Sequence, residues 1–167
     1  MTVRFSPAEE PCRRVLARIV DRLVLEPDDG RRRVVAHLRA SLGPAEQELA
    51  SRVLLAKFQS QSSRDRRLHA GAALVEWSPG GAAAVAGGAV RAPTPALREL
   101  AVEALELGAA AATQVQRENL ALRVRIWRAY ADDPEVADRC GELLARLGMD
   151  GSPVDMGGRD QPEWIGG

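Results

Sequence analysis

The feature that most constrains the fold is a run of apolar residues at helical spacing from Pro95 to Tyr130. Apolar residues recur there at steps of three and four, which places them on one face of a helix, whereas a half-buried strand would alternate every second residue. Thr94 and Pro95 supply a capping side chain and a first-turn proline. As one helix, these 36 residues would span about 54 Å. The pattern therefore predicts one long helix, with Gly108 marking a bend. The residues predicted to lie on its apolar face are Leu97, Leu100, Ala104, Leu107, Ala111, Val115, Leu122, Ile126 and Tyr130.

Shorter helical patterns cover most of the remaining chain. Arginines and apolar residues separate onto two sides of a predicted helix around residues 11–25, and similar patterns cover residues 31–43 and 134–147. Ser63 is placed to cap a helix that ends near Trp77, although residues 44–77 also fit one long kinked helix. No segment has the two-residue alternation of a strand. The sequence predicts an all-α fold, a single bundle of five or six helices with one long helix.

Two segments rich in Gly and Pro lack this periodicity. Residues 79–93 contain two Gly-Gly pairs, and because each glycine loses much backbone entropy when it is ordered, a flexible connection is predicted there. The bundle is predicted to occupy residues 1–149. Residues 150–167 are rich in Gly, Pro and Asp, which predicts an acidic tail, either disordered or docked.

Composition and charge exclude several classes of protein. The net charge is zero, so composition alone gives no argument for nucleic acid or an anionic membrane, although residues 1–70 carry +5 and residues 132–167 carry −6. No apolar run approaches the roughly 20 residues of a membrane span, and the first residues lack the apolar core of a signal peptide. Cys12 and Cys140 lie far apart, without a second ligand at zinc-motif spacing. These observations predict a soluble, cytoplasmic protein that does not bind membranes.

No motif in the sequence predicts a chemical reaction. His37 and His69 are the only histidines, and neither belongs to an HExxH motif, while the Gly-rich segment has neither the GxGxxG nor the P-loop pattern. We therefore predict no catalytic residue, no metal site and no cofactor. An enzyme whose site is assembled in space around one of the histidines and a nearby acid is a third hypothesis.

Aromatic residues near the end of the chain favour protein binding as the function. Trp164 and Ile165 lie in the predicted tail without periodic companions, and Trp127 and Tyr130 lie in the cationic stretch RVRIWRAY. Trp, Tyr and Arg are the residues that commonly anchor interfaces. The leading hypothesis is a non-catalytic helical module, a small subunit or adaptor of a larger bacterial assembly, which binds a protein partner or a second copy through a face of the long helix and the tail. Whether the tail docks on its own bundle or on a partner is left open.

The arginine-rich first half of the chain supports an alternative. Clustered guanidinium groups bind phosphate, and helical spacing could align several of them. No aromatic residue is interleaved among them to stack on bases. The alternative is a nucleic-acid-binding accessory subunit, with contacts from Arg31, Arg32, Arg39, Arg64, Arg66 and Arg67.

Overall fold

Eight α-helices and one short 3-10 turn form the part of the chain that the computed structural model describes, residues 3–23, 25–26 and 28–154. No strand occurs within these ranges, so the predicted all-α class is confirmed, but the predicted number of five or six helices is wrong. After the 3-10 turn Pro7–Glu9, the helices are α1 (Glu10–Leu23), α2 (Asp28–Ser41), α3 (Pro44–Ser60), α4 (Arg64–Trp77), α5 (Pro79–Arg91), α6 (Pro95–Ala109), α7 (Gln114–Tyr130) and α8 (Pro134–Arg146).

Helix α4 lies at the centre of the fold and packs against α2, α3, α5 and α6. Its residues Ala70 to Leu74 are buried, and most of their side chains are small. A Cβ atom added at Gly71 would lie 2.8 Å from the Cβ atom of Ala104 on α6. Real Cβ atoms do not approach each other so closely, so the small residues let α4 and α6 pack at short range.

Two helices, not one, cover residues 44–77. Helix α3 ends at Ser60, and α4 starts after Ser63, whose hydroxyl accepts a hydrogen bond from the backbone N–H of Arg66 at 3.4 Å. The predicted cap at Ser63 is therefore confirmed, and the choice that the sequence left open is settled.

The flexible connection predicted over residues 79–93 is wrong, because most of this segment forms helix α5. The Ser78 hydroxyl accepts a hydrogen bond from the backbone N–H of Gly81 at 3.0 Å, and Pro79 occupies the first turn. Val85 and Val90 are completely buried. Burial of one face of α5 in the core offsets the entropic cost of ordering its glycines, which composition alone does not show.

The single long helix predicted from Pro95 to Tyr130 is also wrong, because the chain breaks between α6 and α7 at residues 110–113. Thr113 starts α7 with a capping box: its hydroxyl accepts from the Gln116 backbone N–H at 3.2 Å, and the Gln116 side chain accepts from the Thr113 N–H at 2.8 Å. Because α7 starts anew after this break, the residues of α7 that face the core are not those expected from a continuous helix. Val115 and Leu122, which were predicted to face inward, are 64% and 39% exposed.

Helix α8 was predicted from its periodicity, and it begins and ends with local signals. The Asp133 carboxylate accepts from the Glu135 backbone N–H at 2.9 Å, Pro134 is the first helical residue, and Gly148 takes the positive φ of 64° that favours glycine after a helix. Of the predicted tail, residues 150–154 are described. Val154 is partly buried against the core. The rest of the predicted tail, with Trp164 and Ile165, lies outside the described residues.

Candidate partner-binding groove

A groove of about 520 Å³ opens at the junction of α6 and α7. It is bounded by residues of α2, α4, α5, α6 and α7 and by Met149, which follows α8. This volume lies within the range of about 300–1,000 Å³ that is typical of ligand sites. The apolar part of its wall includes Val75, Ala82, Gly108, Leu120, Leu122 and Met149.

Small residues at the end of α6 shape the groove. A Cβ atom added at Gly108 would lie 2.5 Å from the Cβ atom of Val75, so α4 and α6 approach closely beside it. Ala109, Ala111 and Ala112 then line the wall where the chain turns into α7. Because alanine side chains fill little space, the turn leaves an open concave surface instead of a packed corner.

Three arginines give the groove a cationic character: Arg39, Arg117 and Arg123. Arg39 is exposed near the end of α2. Arg117 is half-buried, and its Nη2 atom donates to the carbonyl oxygen of Leu147 at 2.9 Å, which ties α7 to the end of α8. A guanidinium group has five N–H donors, so one such bond leaves others for an anionic ligand.

The single acid in the lining, Glu76, is already paired with an arginine. Its Oε1 atom accepts from Arg31 Nη2 at 2.9 Å and from Arg31 Nε at 3.3 Å. The Glu76 side chain is 7% exposed and that of Arg31 is 0% exposed. The negative charge of Glu76 is therefore neutralised inside the protein, and the net charge of the lining is positive.

Arg31 belongs to this buried cluster and not to a surface for nucleic acid. Its Nη1 atom also donates to Asp28 Oδ1 at 2.6 Å and lies 3.3 Å from Nδ1 of His69. An arginine has no acceptor atom, so Nδ1 of His69 accepts in this contact. Because Arg31 is completely buried, it cannot contact a phosphate, and the structure removes it from the predicted nucleic-acid set.

The other arginines of that set are mostly engaged with the protein. Arg64 pairs with Glu103 at 2.7 Å, and Arg67 Nε donates to the carbonyl oxygen of Phe58 at 2.8 Å. Arg32 lies 3.8 Å from Asp29 and 3.9 Å from Glu76. Arg66 and Arg39 are exposed, and Arg39 lines the groove. Apart from the buried Arg31, the role predicted for these arginines in nucleic-acid binding stays a prediction.

The predicted partner-binding aromatic residues have different environments. Trp127 is 9% exposed, and the guanidinium of Arg91 lies 5.4 Å from its ring centroid, so Trp127 is a core residue with a cation–π contact. Tyr130 is partly buried and packs against the core. Trp164 and Ile165 lie outside the described ranges.

The two histidines have different environments. His37 is exposed on α2, and His69 is engaged with Arg31. Among the residues with described positions, no group of three or more His, Cys, Asp or Glu side chains could hold a metal ion. Glu99 and Glu106, on α6, both pair with Arg146 of α8. The Arg146 charge holds the pKa of Glu99 below its ordinary value through this hydrogen-bonded pair.

The sequence predicted binding roles for Arg39 and for the long-helix face that contains Ala111 and Leu122, but not for the other residues that line the groove. Arg117 is held next to the groove by its bond to Leu147, and Leu122 is exposed there. The missed signal is the T-x-x-Q motif at residues 113–116, a capping box that predicts a helix start within the apparent long helix. With that start recognised, Leu122 moves off the inward face.

None of the described helices is long and apolar enough to cross a membrane. Comparison with known proteins yields no relative, because no family model, no curated protein and no solved structure matches this chain.

Proposed function

We propose that this protein is a non-catalytic helical interaction module, a small subunit or adaptor of a larger assembly, which binds a segment of a protein partner in the groove at the α6–α7 junction. The observation that carries this proposal is the groove itself, about 520 Å³ in volume, with the exposed Leu122 among its apolar lining residues. The groove retains part of the predicted long-helix face, because Ala111 and Leu122 line it. The role predicted for Trp164 and Ile165 stays a prediction.

The lining indicates the chemistry of the partner segment. Apolar side chains fit the wall formed by Val75, Leu120 and Leu122, where their burial is the main favourable contribution. Carboxylates fit beside Arg39 and Arg117, where charge-assisted hydrogen bonds to guanidinium form. A segment that combines one or two large apolar residues with Asp or Glu is therefore the expected ligand.

Site-specific photo-crosslinking tests the proposal in the full-length protein. A photoreactive phenylalanine is placed at position 122 in cells of the native host, and the matched control places it at Val115. Both positions are exposed on α7, but only Leu122 lines the groove. We expect a discrete protein adduct from position 122 that is absent from position 115, with the crosslinked peptide of the partner containing apolar and acidic residues.

Charge and nuclease controls identify the class of partner. Arg117→Ala should weaken the adduct at position 122, because it removes a cation from the groove. Equal adducts at both positions, or none at position 122, would contradict the proposal. An adduct that is lost on nuclease treatment would instead favour nucleic acid, whose binding also falls steeply with salt.

A further inference from the structure

The described chain leaves α8 beside the groove. Met149 lines the groove, and its backbone N–H donates to the carbonyl oxygen of Leu144 at 2.9 Å. Arg125 of α7 pairs with Asp150 at 3.0 Å, and hydrogen bonds from Ser152, together with the Arg125 charge, lower the pKa of Asp150. These contacts hold the start of the following segment close to α7.

The sequence after Val154 has the chemistry that the groove requires. Residues 155–167 read DMGGRDQPEWIGG, with Asp155, Asp160 and Glu163 against one base, Arg159. The segment thus carries a net charge of −2, opposite in sign to the groove, and it contains Trp164 and Ile165 as large apolar side chains. Trp buries about 150–250 Å² when it docks, which makes it a strong anchor.

We infer that Trp164 and Ile165 dock in the groove of their own chain, with Asp160 and Glu163 toward Arg39 and Arg117. The sequence left open whether the tail docks on its own bundle or on a partner, and this inference selects its own bundle. The docking is inferred from the groove and the segment alone. Its consequence, that a partner must displace the segment, rests on the proposed function.

Chain length permits this docking. Val154 follows Met149 by five residues, and since an extended chain spans at most about 3.6 Å per residue, their Cα atoms are separated by no more than about 18 Å. Ten further residues lead to Trp164 and could span about 36 Å. The segment is therefore long enough to reach back to the groove.

Covalent attachment favours binding of the chain's own segment over binding of the same segment from a second copy. A segment joined by a short flexible linker has an effective concentration of about millimolar at its site. Glycines at positions 157 and 158 suit the linking residues to a reversal of direction. A second copy at the micromolar concentrations of an ordinary experiment competes poorly with a segment held at this concentration.

Fluorine NMR of the full-length protein labelled with fluorotryptophan tests the docking. Trp77, Trp127 and Trp164 give three resonances, and Trp164→Phe identifies the third. We expect the Trp164 resonance of the wild-type protein to differ from that of the denatured protein. In Leu122→Glu, which places a carboxylate in the groove, it should move to the denatured-state position. In Val115→Glu, the matched change on α7 outside the groove, it should not move.

Each outcome decides the inference. A Trp164 resonance at the denatured-state position in the wild-type protein would overturn it, as would one that is unaffected by Leu122→Glu. A resonance that shifts with protein concentration would assign the segment to the groove of a second copy, which also contradicts docking on the same chain. Circular dichroism and the unchanged resonances of Trp77 and Trp127 show that both variants are folded. If crosslinking at position 122 fails while this shift is observed, the proposed function is wrong and the docking stands.

Discussion

Arg31 of α2 donates two hydrogen bonds to Glu76 of α4, at 2.9 Å from Nη2 and 3.3 Å from Nε, and both side chains are almost fully removed from water. This pair joins α2 and α4 through two residues that are 45 positions apart in sequence. Since Glu76 also lines the groove, the pair fixes the position of the groove wall relative to α2. A buried ion pair adds little stability over apolar residues of the same size, but it is costly to break.

Removal of one member of the pair should destabilise the protein strongly. Glu76→Ala leaves Arg31 buried with Asp28 as its remaining carboxylate partner, and we expect the free energy of unfolding to fall by about 3–5 kcal/mol. Replacing both residues, as Arg31→Met with Glu76→Leu, should recover most of that loss. Urea denaturation of the two single variants and the double variant measures the coupling. Additive losses in the double variant would show that the two charges are not coupled.

The glycines of α5 should differ in their tolerance of alanine. At Gly81 an added Cβ atom would lie 2.1 Å from the carbonyl oxygen of Leu74, so Gly81→Ala forces α4 and α5 apart and should cost about 1–3 kcal/mol. At Gly87 no heavy atom lies within 4 Å, and alanine should stabilise the helix by about 0.5–1 kcal/mol.

Thermal and urea denaturation of these two variants test whether α5 is an ordered helix. In a flexible connection, neither substitution would change the free energy of unfolding by these amounts. The distinctive result is a lower free energy of unfolding for Gly81→Ala and a higher one for Gly87→Ala, because the same substitution is made at both positions.

Local signals predicted some helix ends correctly, since they act within a few residues. Two helices begin in this way, because the side chains of Thr94 and Asp133 accept hydrogen bonds from backbone N–H groups of the first turn, with Pro95 and Pro134 as the first helical residues. The positive φ of Gly148 ends α8 in the same local manner. The helicity of α5 could not be predicted in this way, because it depends on burial of Val85 and Val90 against other helices. Intrinsic propensity is a weak guide where tertiary packing decides.

The site was less predictable than the fold for the same reason. Three consecutive arginines at positions 31–33 look equivalent in sequence, yet only the first is completely buried, because Glu76 and His69 of α4 meet it in space. The groove is assembled from separate segments of the chain, and a periodic pattern reports one segment at a time. Arg39 was found because it is charged, whereas Leu122 was assigned to the wrong face.

The break between α6 and α7 predicts the sign of a substitution at Thr113. Thr113→Ala removes the hydroxyl that accepts from the Gln116 N–H and should lower the free energy of unfolding by about 1 kcal/mol. In a continuous helix the same change would stabilise, because alanine has the higher helix propensity. Val115→Ala, two residues later and exposed, is the matched control and should be neutral or slightly stabilising. Urea denaturation distinguishes the two signs.

Acidification should weaken the attachment of the first residues to α3. Arg52 donates to both carboxylate oxygens of Glu9, and the Ser6 backbone N–H donates to Glu9 Oε2 at 2.8 Å. These interactions, with the Arg52 hydrogen bond the largest, lower the pKa of Glu9 from 4.5 to about 2. A carboxyl with a depressed pKa in the folded state contributes stability above the pKa of the unfolded state, and this contribution is lost as the pH falls from about 4.5 to about 2.

Glu9→Gln should therefore destabilise at neutral pH and show a smaller further loss on acidification than the wild-type protein. Urea midpoints between pH 6 and pH 2 measure this difference, with Glu142→Gln, at an exposed acid of α8, as the control. Parallel pH profiles for Glu9→Gln and the wild-type protein would contradict the pairing with Arg52.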